Sequence, residues 1–358
     1  MKNNLLQQIE ELLVVLEVLN LQNARLVGLS LSGVGGTKVC ILQNRGKRVV
    51  VKYGRAKIPL KEQIANRDLL ARHFDKGRLP VVKQYLTDER FGEAILIEFC
   101  GDFNFHEVVT RGILSDAVCK DIKKSMLSEV IDVWRKTKRQ VLNCDPDDIP
   151  FSYDPRKRTQ RVIRALQELE IESEEKTYRL GDHFDKPVYV NGVLYPSFGE
   201  ITKQLLAFYP PTVLVTCHRD LNADNFMISL VNGEPHWTLI DWEWAGENHD
   251  WRLGFSHLIG WWKANAIYLR RDPTSRLIDN SIMINYDIRT PNVCRDIITL
   301  CKDMGKEFGR EVSDDNLESQ LKLYVATYLL GEVRFVEGRA REEYIIPLIG
   351  EGIVTLFK

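Results

Sequence analysis

The chain has 358 residues, 44% of them hydrophobic and 28% charged, which excludes wholesale disorder and predicts about two domains. Its 49 basic and 50 acidic residues leave a formal net charge of −1, so nucleic-acid binding by bulk charge is not expected. The seven cysteines form no CxxC pair, which argues against a disulfide framework or a cysteine zinc cluster and points to a reducing cytoplasm.

The first predicted element is helical. Leu5, Leu6, Ile9, Leu12, Leu13, Leu16 and Leu19 recur at helical spacing, and Glu10, Glu11 and Glu17 break the apolar run. A signal peptide or membrane span needs a longer uninterrupted stretch, and none occurs here or later. Residues 1–22 therefore read as an amphipathic helix packed on the body. The sharper alternative is a partner or membrane-surface helix, which the acidic polar face disfavours.

From about 26 to 100 the chain is strand-like. Val27–Leu31, Lys38–Leu42, Arg48–Tyr53 and Ala94–Phe99 are short β-branched runs broken by glycines, with a helical pattern over Leu60–Phe74. Residues 23–101 thus form a small α+β lobe. Beyond 102 the predicted elements are helices at 116–139, 158–172, 199–208, 253–268 and 315–338. Inside an insertion near 145–200, Val188–Val190 and Val193–Tyr195 flank Asn191-Gly192, a hairpin signature. The same insertion runs from the basic Arg156, Lys157, Arg158, Arg161 and Arg164 to the acidic Glu168, Glu170, Glu172, Glu174 and Glu175, which reads as solvated surface.

The chemistry concentrates in Thr216-Cys217-His218-Arg219-Asp220-Leu221-Asn222-Ala223-Asp224-Asn225, held between two apolar runs. Sixteen residues after Asn225 the strand-like Leu239-Ile240 ends in Asp241. Phosphoryl transfer needs this set. A carboxylate orients or deprotonates the attacking hydroxyl, for which Asp220 is suited. An amide and a second carboxylate supply oxygen ligands to Mg²⁺, for which Asn225 and Asp241 are suited.

This pattern resembles the catalytic loop of the aminoglycoside phosphotransferase and choline kinase superfamily, the small-molecule branch of the protein-kinase-like fold. The resemblance covers most of the chain, from about Val27 to the helices after Asp241, and its second half is the more specific. It implies a bilobal α+β enzyme, with a small antiparallel-sheet lobe, a larger helical lobe, ATP and Mg²⁺ between them and a small hydroxyl-bearing substrate on the helical lobe. It also implies that the glycine turn Gly33, Val34, Gly35 and Gly36 approaches phosphates and that Lys52 pairs with them. Glu62, or else Asp68, is the implied partner of Lys52, and backbone groups of Glu98, Phe99 and Cys100 are implied to meet adenine. His218 and Arg219 are implied to orient the loop.

The chain departs from the pattern at Arg219, where antibiotic kinases commonly carry glycine, and at Asn222, where the family carries histidine or, in protein kinases, lysine. Helical texture resumes by about Leu253, which leaves no room for a long activation loop and counts against a protein kinase. A non-catalytic nucleotide-binding scaffold is the other competing reading. For the substrate, Trp242, Trp244, Trp251, Trp261 and Trp262 lie near Glu243, Glu247 and Asp250. Either these form a cage for a quaternary ammonium or amino sugar, with Glu243, Trp244 and Asp250 as contacts, or the tryptophans are core.

Overall fold

The computed structural model describes residues 2–30, 36–141, 155–172, 177–207, 209–268, 274–278, 281–287, 292–336 and 341–358. It has the mixed α+β composition expected, an antiparallel sheet in the N-terminal part followed by a mainly helical part. Two compact units divide it. One comprises Met1–Ile113 with Asp224–Gly246, and the other Leu114–Ala223 with Glu247–Lys358.

The first unit opens with helix α1 (Lys2–Val18) and the strands β1 (Arg25–Ser30), β2 (Thr37–Asn44) and β3 (Lys47–Gly54). Helix α2 (Leu60–Ala71) and strands β4 (Val82–Asp88) and β5 (Gly92–Glu98) follow. The strands make one antiparallel sheet in the order β1-β2-β3-β5-β4. The turn between β2 and β3 uses Arg45 and Gly46, both with positive φ, which matches a tight hairpin to the strand twist.

Strand periodicity sorts the two faces of this sheet. Cys40 and Leu42 of β2 and Val49, Val51 and Tyr53 of β3 are buried, and they share a core with Leu12, Val15 and Leu16 of α1 and with Leu19 just after it. The N-terminal helix is therefore a packed part of this unit, at roughly 1.5–3 kcal/mol for each fully buried large apolar side chain. Lys38 of β2 also forms an ion pair with Glu11 of α1. Lys52 has the opposite parity and leaves the sheet on the other face, across from Val39 and Ile95.

The later portion of the first unit is a hairpin, Phe226–Val231 with Glu234–Leu239, closed by Asn232 and Gly233 at positive φ. Phe103 and Asn104 pair with Ile228 and Met227, which ties the chain after β5 to this hairpin. The first unit takes in 224–246, the segment whose hairpin makes that pairing. Gly101 makes it possible: a Cβ there would stand 2.3 Å from the Ile228 carbonyl oxygen. Because that obstacle is backbone, Gly101→Ala is expected to cost about 1–3 kcal/mol, read as a lower unfolding midpoint in urea. An unchanged midpoint would show the hairpin contact to be slack.

The second unit is built on α3 (Asp116–Thr137), β6 (Val213–Cys217), α4 (Trp251–Tyr268), α5 (Asn292–Glu311), α6 (Leu317–Glu332) and α7 (Arg341–Phe357). Ser115 caps α3 by accepting from the Val118 amide. The core is aromatic. Trp134 of α3 packs edge-on to Phe255 at 5.0 Å between centroids, and Trp251 meets Phe308 at 4.9 Å. Helices predicted at 116–139, 253–268 and 315–338 are present with shifted ends, while α5 and α7 were not foreseen. The Asn191-Gly192 hairpin forms as expected, and an unforeseen strand at Ser281–Asn285 runs parallel to its first arm.

Candidate active site

The residues singled out above fall into two groups, one in each unit. In the first unit, Lys52 Nζ lies 3.0 Å from Asp241 Oδ1 and 4.0 Å from Glu243 Oε2. Asp241 follows the second arm of the hairpin, and the Ile240 amide beside it donates to the Asn225 carbonyl at 2.9 Å. Asn225 and Asp241 therefore lie at the same end of that hairpin, below the Phe226–Leu239 rung. Asp241 has φ of 60°, a left-handed conformation that costs a non-glycine residue energy and clusters at functional positions. Asn66 of α2 donates to the Glu243 carbonyl at 3.2 Å and so fixes the turn after Asp241.

In the second unit, Asp220 follows β6 in a loop whose base is buried. His218 and Arg219 are 2% and 3% exposed, and the Arg219 amide donates to Cys217 Sγ at 3.3 Å. Arg219 has φ of 69°, the second left-handed non-glycine beside the expected chemistry. Burial pulls its guanidinium down to about 10, and burial, then the Arg219 charge, hold His249 well below the ordinary imidazole range. Asp220 Oδ1 lies 3.1 Å from His257 Nδ1 of α4 and accepts from Asn222 Nδ2 at 3.0 Å. Burial would raise this carboxyl. The His257 hydrogen bond, the charges of His257 and His218 and the Asn222 bond outweigh it and hold the group below the usual carboxylate range.

Among the described residues no cluster of three His, Cys, Asp or Glu side chains forms a metal site. Asn225 and Asp241 each carry an oxygen-bearing side chain at one end of the hairpin.

No protein-family model and no curated protein sequence matches the chain. Solved structures do. A protein assigned to the aminoglycoside phosphotransferases of Ralstonia eutropha superposes with a TM-score of 0.53 at 12% identity, over 93% of this chain and 92% of that one. A GDP-bound aminoglycoside 2'-phosphotransferase of type IIIa gives 0.50 at 10% identity, over 98% and 96%. Choline kinase LicA from Streptococcus pneumoniae gives 0.48 at 12%, over 96% and 98%. The chain has the fold of the aminoglycoside phosphotransferases.

Several positions expected on the aminoglycoside phosphotransferase pattern sit differently here. Glu62 is exposed on α2, and Asp68 pairs with Arg67 at 2.9 Å, so the acids beside Lys52 are Asp241 and Glu243. Glu243, expected at the substrate, instead lies next to that lysine. Gly33, Val34 and Gly35 lie outside the described residues, while Gly36 takes a positive φ of 82° beside Gly54. Pairing of β5 with β3 ends at Glu98, so Phe99 and Cys100 continue past the sheet. Arg48 stacks on the Phe99 ring at 4.1 Å and pairs with Asp102. Burial pushes the Cys100 thiol up to about 12, which makes it a poor nucleophile.

Of the two readings of the tryptophans, core and not cage holds for four of the five. Trp242, Trp251, Trp261 and Trp262 are buried core, and Trp244 is half-buried. Asp250 is fully buried against Arg252, 2.8 Å away, which closes it to an outside ligand and removes it from the substrate contacts. His257 was missed as a partner of Asp220. No described helix is long and apolar enough to cross a membrane.

Proposed function

We propose that this chain is an ATP- and Mg²⁺-dependent phosphotransferase that moves the γ-phosphoryl group to a hydroxyl of a small polar molecule such as an aminoglycoside, an amino alcohol or a sugar. The carrying observation is the Lys52–Asp241 pair at 3.0 Å, with Asn225 fastened beside Asp241 through Ile240. A lysine on a sheet and two hard oxygen donors suit the phosphates and the metal of a nucleoside triphosphate. The GDP-bound neighbour supports a nucleotide as the donor.

Asn225 and Asp241 would hold Mg²⁺, which neutralises charge on the phosphates when bound. Lys52, released from Asp241, would pair with phosphate oxygens. Asp220 would accept a hydrogen bond from the acceptor hydroxyl, with His257 and Asn222 fixing its orientation. Its depressed pKa makes it a better orienter than base, so it takes the proton late, as the bond to phosphorus forms.

The test is a panel of aminoglycosides, amino alcohols and sugars, incubated with ATP or GTP and Mg²⁺ and followed by nucleoside diphosphate release. Acceptor-dependent release supports the reading, whereas nucleotide binding with no release across the panel returns the scaffold reading. Asp241→Ala is expected to weaken Mg²⁺-dependent ATP binding by about tenfold or more, measured calorimetrically with and without the metal. Equal affinity in both conditions would remove Asp241 from the metal site.

A further inference from the structure

Five lysines crowd one cavity of the second unit. The cavity, of about 300 Å³, is bounded by α4, α5, α6 and α7. Ile259, Leu321, Val325 and Val354 give it an apolar wall, and Lys263, Lys302, Lys306, Lys322 and Lys358 stand around it. Two of these charges are matched. Lys263 pairs with Glu351 at 2.5 Å and donates to Thr355 at 2.9 Å, and Lys322 pairs with Glu318 at 3.3 Å, one turn away.

Lys302 and Lys306 are also one turn apart, on α5. Among the described residues neither has a carboxylate within ion-pair distance. Like charges at this spacing repel, and here they do so beside an apolar surface. Partial desolvation at the cavity, then the Lys263 and Lys306 charges, hold the Lys302 ammonium below its ordinary range against the more distant pull of Glu351 and Glu318. An anion placed between them would relieve this repulsion. An inorganic anion alone would leave the apolar wall unused, and a neutral chain would leave the lysines unmatched. The cavity is separate from Asp220: Lys263 lies six residues past His257, about 9 Å along the α4 axis.

We propose that this cavity binds a small amphipathic anion, an aliphatic chain bearing a phosphate or carboxylate head. The chain lies against Ile259, Leu321, Val325 and Val354, and the head lies between Lys302 and Lys306. The proposal does not depend on the phosphotransferase reading.

Titration calorimetry of the full chain with monomeric octyl phosphate, inorganic phosphate and octanol tests it. Octyl phosphate is expected to bind one to one, with the other two at least about tenfold weaker. Lys302 and Lys306 are exposed, so K302Q/K306Q is expected to fold normally and to bind octyl phosphate at least about tenfold more weakly. No binding of octyl phosphate, or equal binding by the double variant, overturns the proposal. Loss of binding in Asp241→Ala would put the probe at the nucleotide site and overturns it too. Retention on phosphatidylglycerol vesicles without binding of monomeric octyl phosphate also overturns it, by assigning the lysines to a membrane surface.

Discussion

Asp220→Asn is expected to lower kcat for acceptor-dependent ADP release by about 10²–10⁴-fold, with a much smaller change in KM for ATP. Asparagine keeps the shape and can still meet Asn222, so the fold survives, but it cannot accept the hydroxyl proton. Retained turnover would end the role assigned to Asp220. The pH dependence follows from the direction of the shift. Asp220 is held below the ordinary carboxylate range, so it stays ionised throughout the neutral and mildly acidic range. The acid limb of kcat/KM is therefore not expected to come from Asp220 until below the usual carboxylate pKa. A folded-state pKa below the unfolded value also means that the His257–Asp220 interaction stabilises the fold above that unfolded pKa. The contribution is lost as pH falls through the folded value. His257→Gln removes the strongest bond opposing burial and is expected to move the acid limb upward. An unmoved limb would show that His257 does not tune this carboxylate.

The loop and strand residues stood out in the sequence because their order is distinctive: an acid, an amide five residues on, and an acid closing a strand. The partners that adjust them were not legible, because those contacts join distant parts of the chain. His257 reaches Asp220 from a helix, and Glu243 rather than Glu62 comes near Lys52 because the turn after Asp241 is held by Asn66. The missed helices have physical reasons too. The buried face of α5 is Cys294, Ile297, Cys301, Gly305 and Phe308, which carries cysteine and glycine where a clear stripe would carry leucine. Helix α7 contains Pro347, a residue that normally ends a helix. Strand β4 is half-buried along most of its length, so it lacks the alternation that betrays a strand. The N-terminal helix and the Asn191-Gly192 hairpin were legible because one period accounts for each.

Asp250→Ala is expected to destabilise the second unit by about 3–5 kcal/mol, a fall in Tm on the order of 10 °C. The side chains of Asp250 and Arg252 are both fully buried. The guanidinium grips the carboxylate through Nε–Oδ1 at 2.9 Å and Nη2–Oδ2 at 2.8 Å. Tyr324 donates its hydroxyl to Oδ2 at 3.1 Å, and Arg252 also donates to the Tyr209 carbonyl at 2.6 Å. Burial lowers the pKa of Arg252, but the Asp250 charge and hydrogen bonds raise it further than burial lowers it, so the arginine stays charged. Removing the carboxylate leaves that charge in the core with only Asp314, 3.5 Å away, to meet it. Asp314 is a weaker partner because burial raises its own carboxyl against the pull of Arg252. A substrate contact at Asp250 would give the reverse pattern, with KM raised and Tm unchanged. Thermal unfolding and acceptor KM measured on the same variant separate the two. The structural role also predicts that Arg252→Met in the Asp250→Ala background recovers part of the lost stability, since the uncompensated charge is then gone.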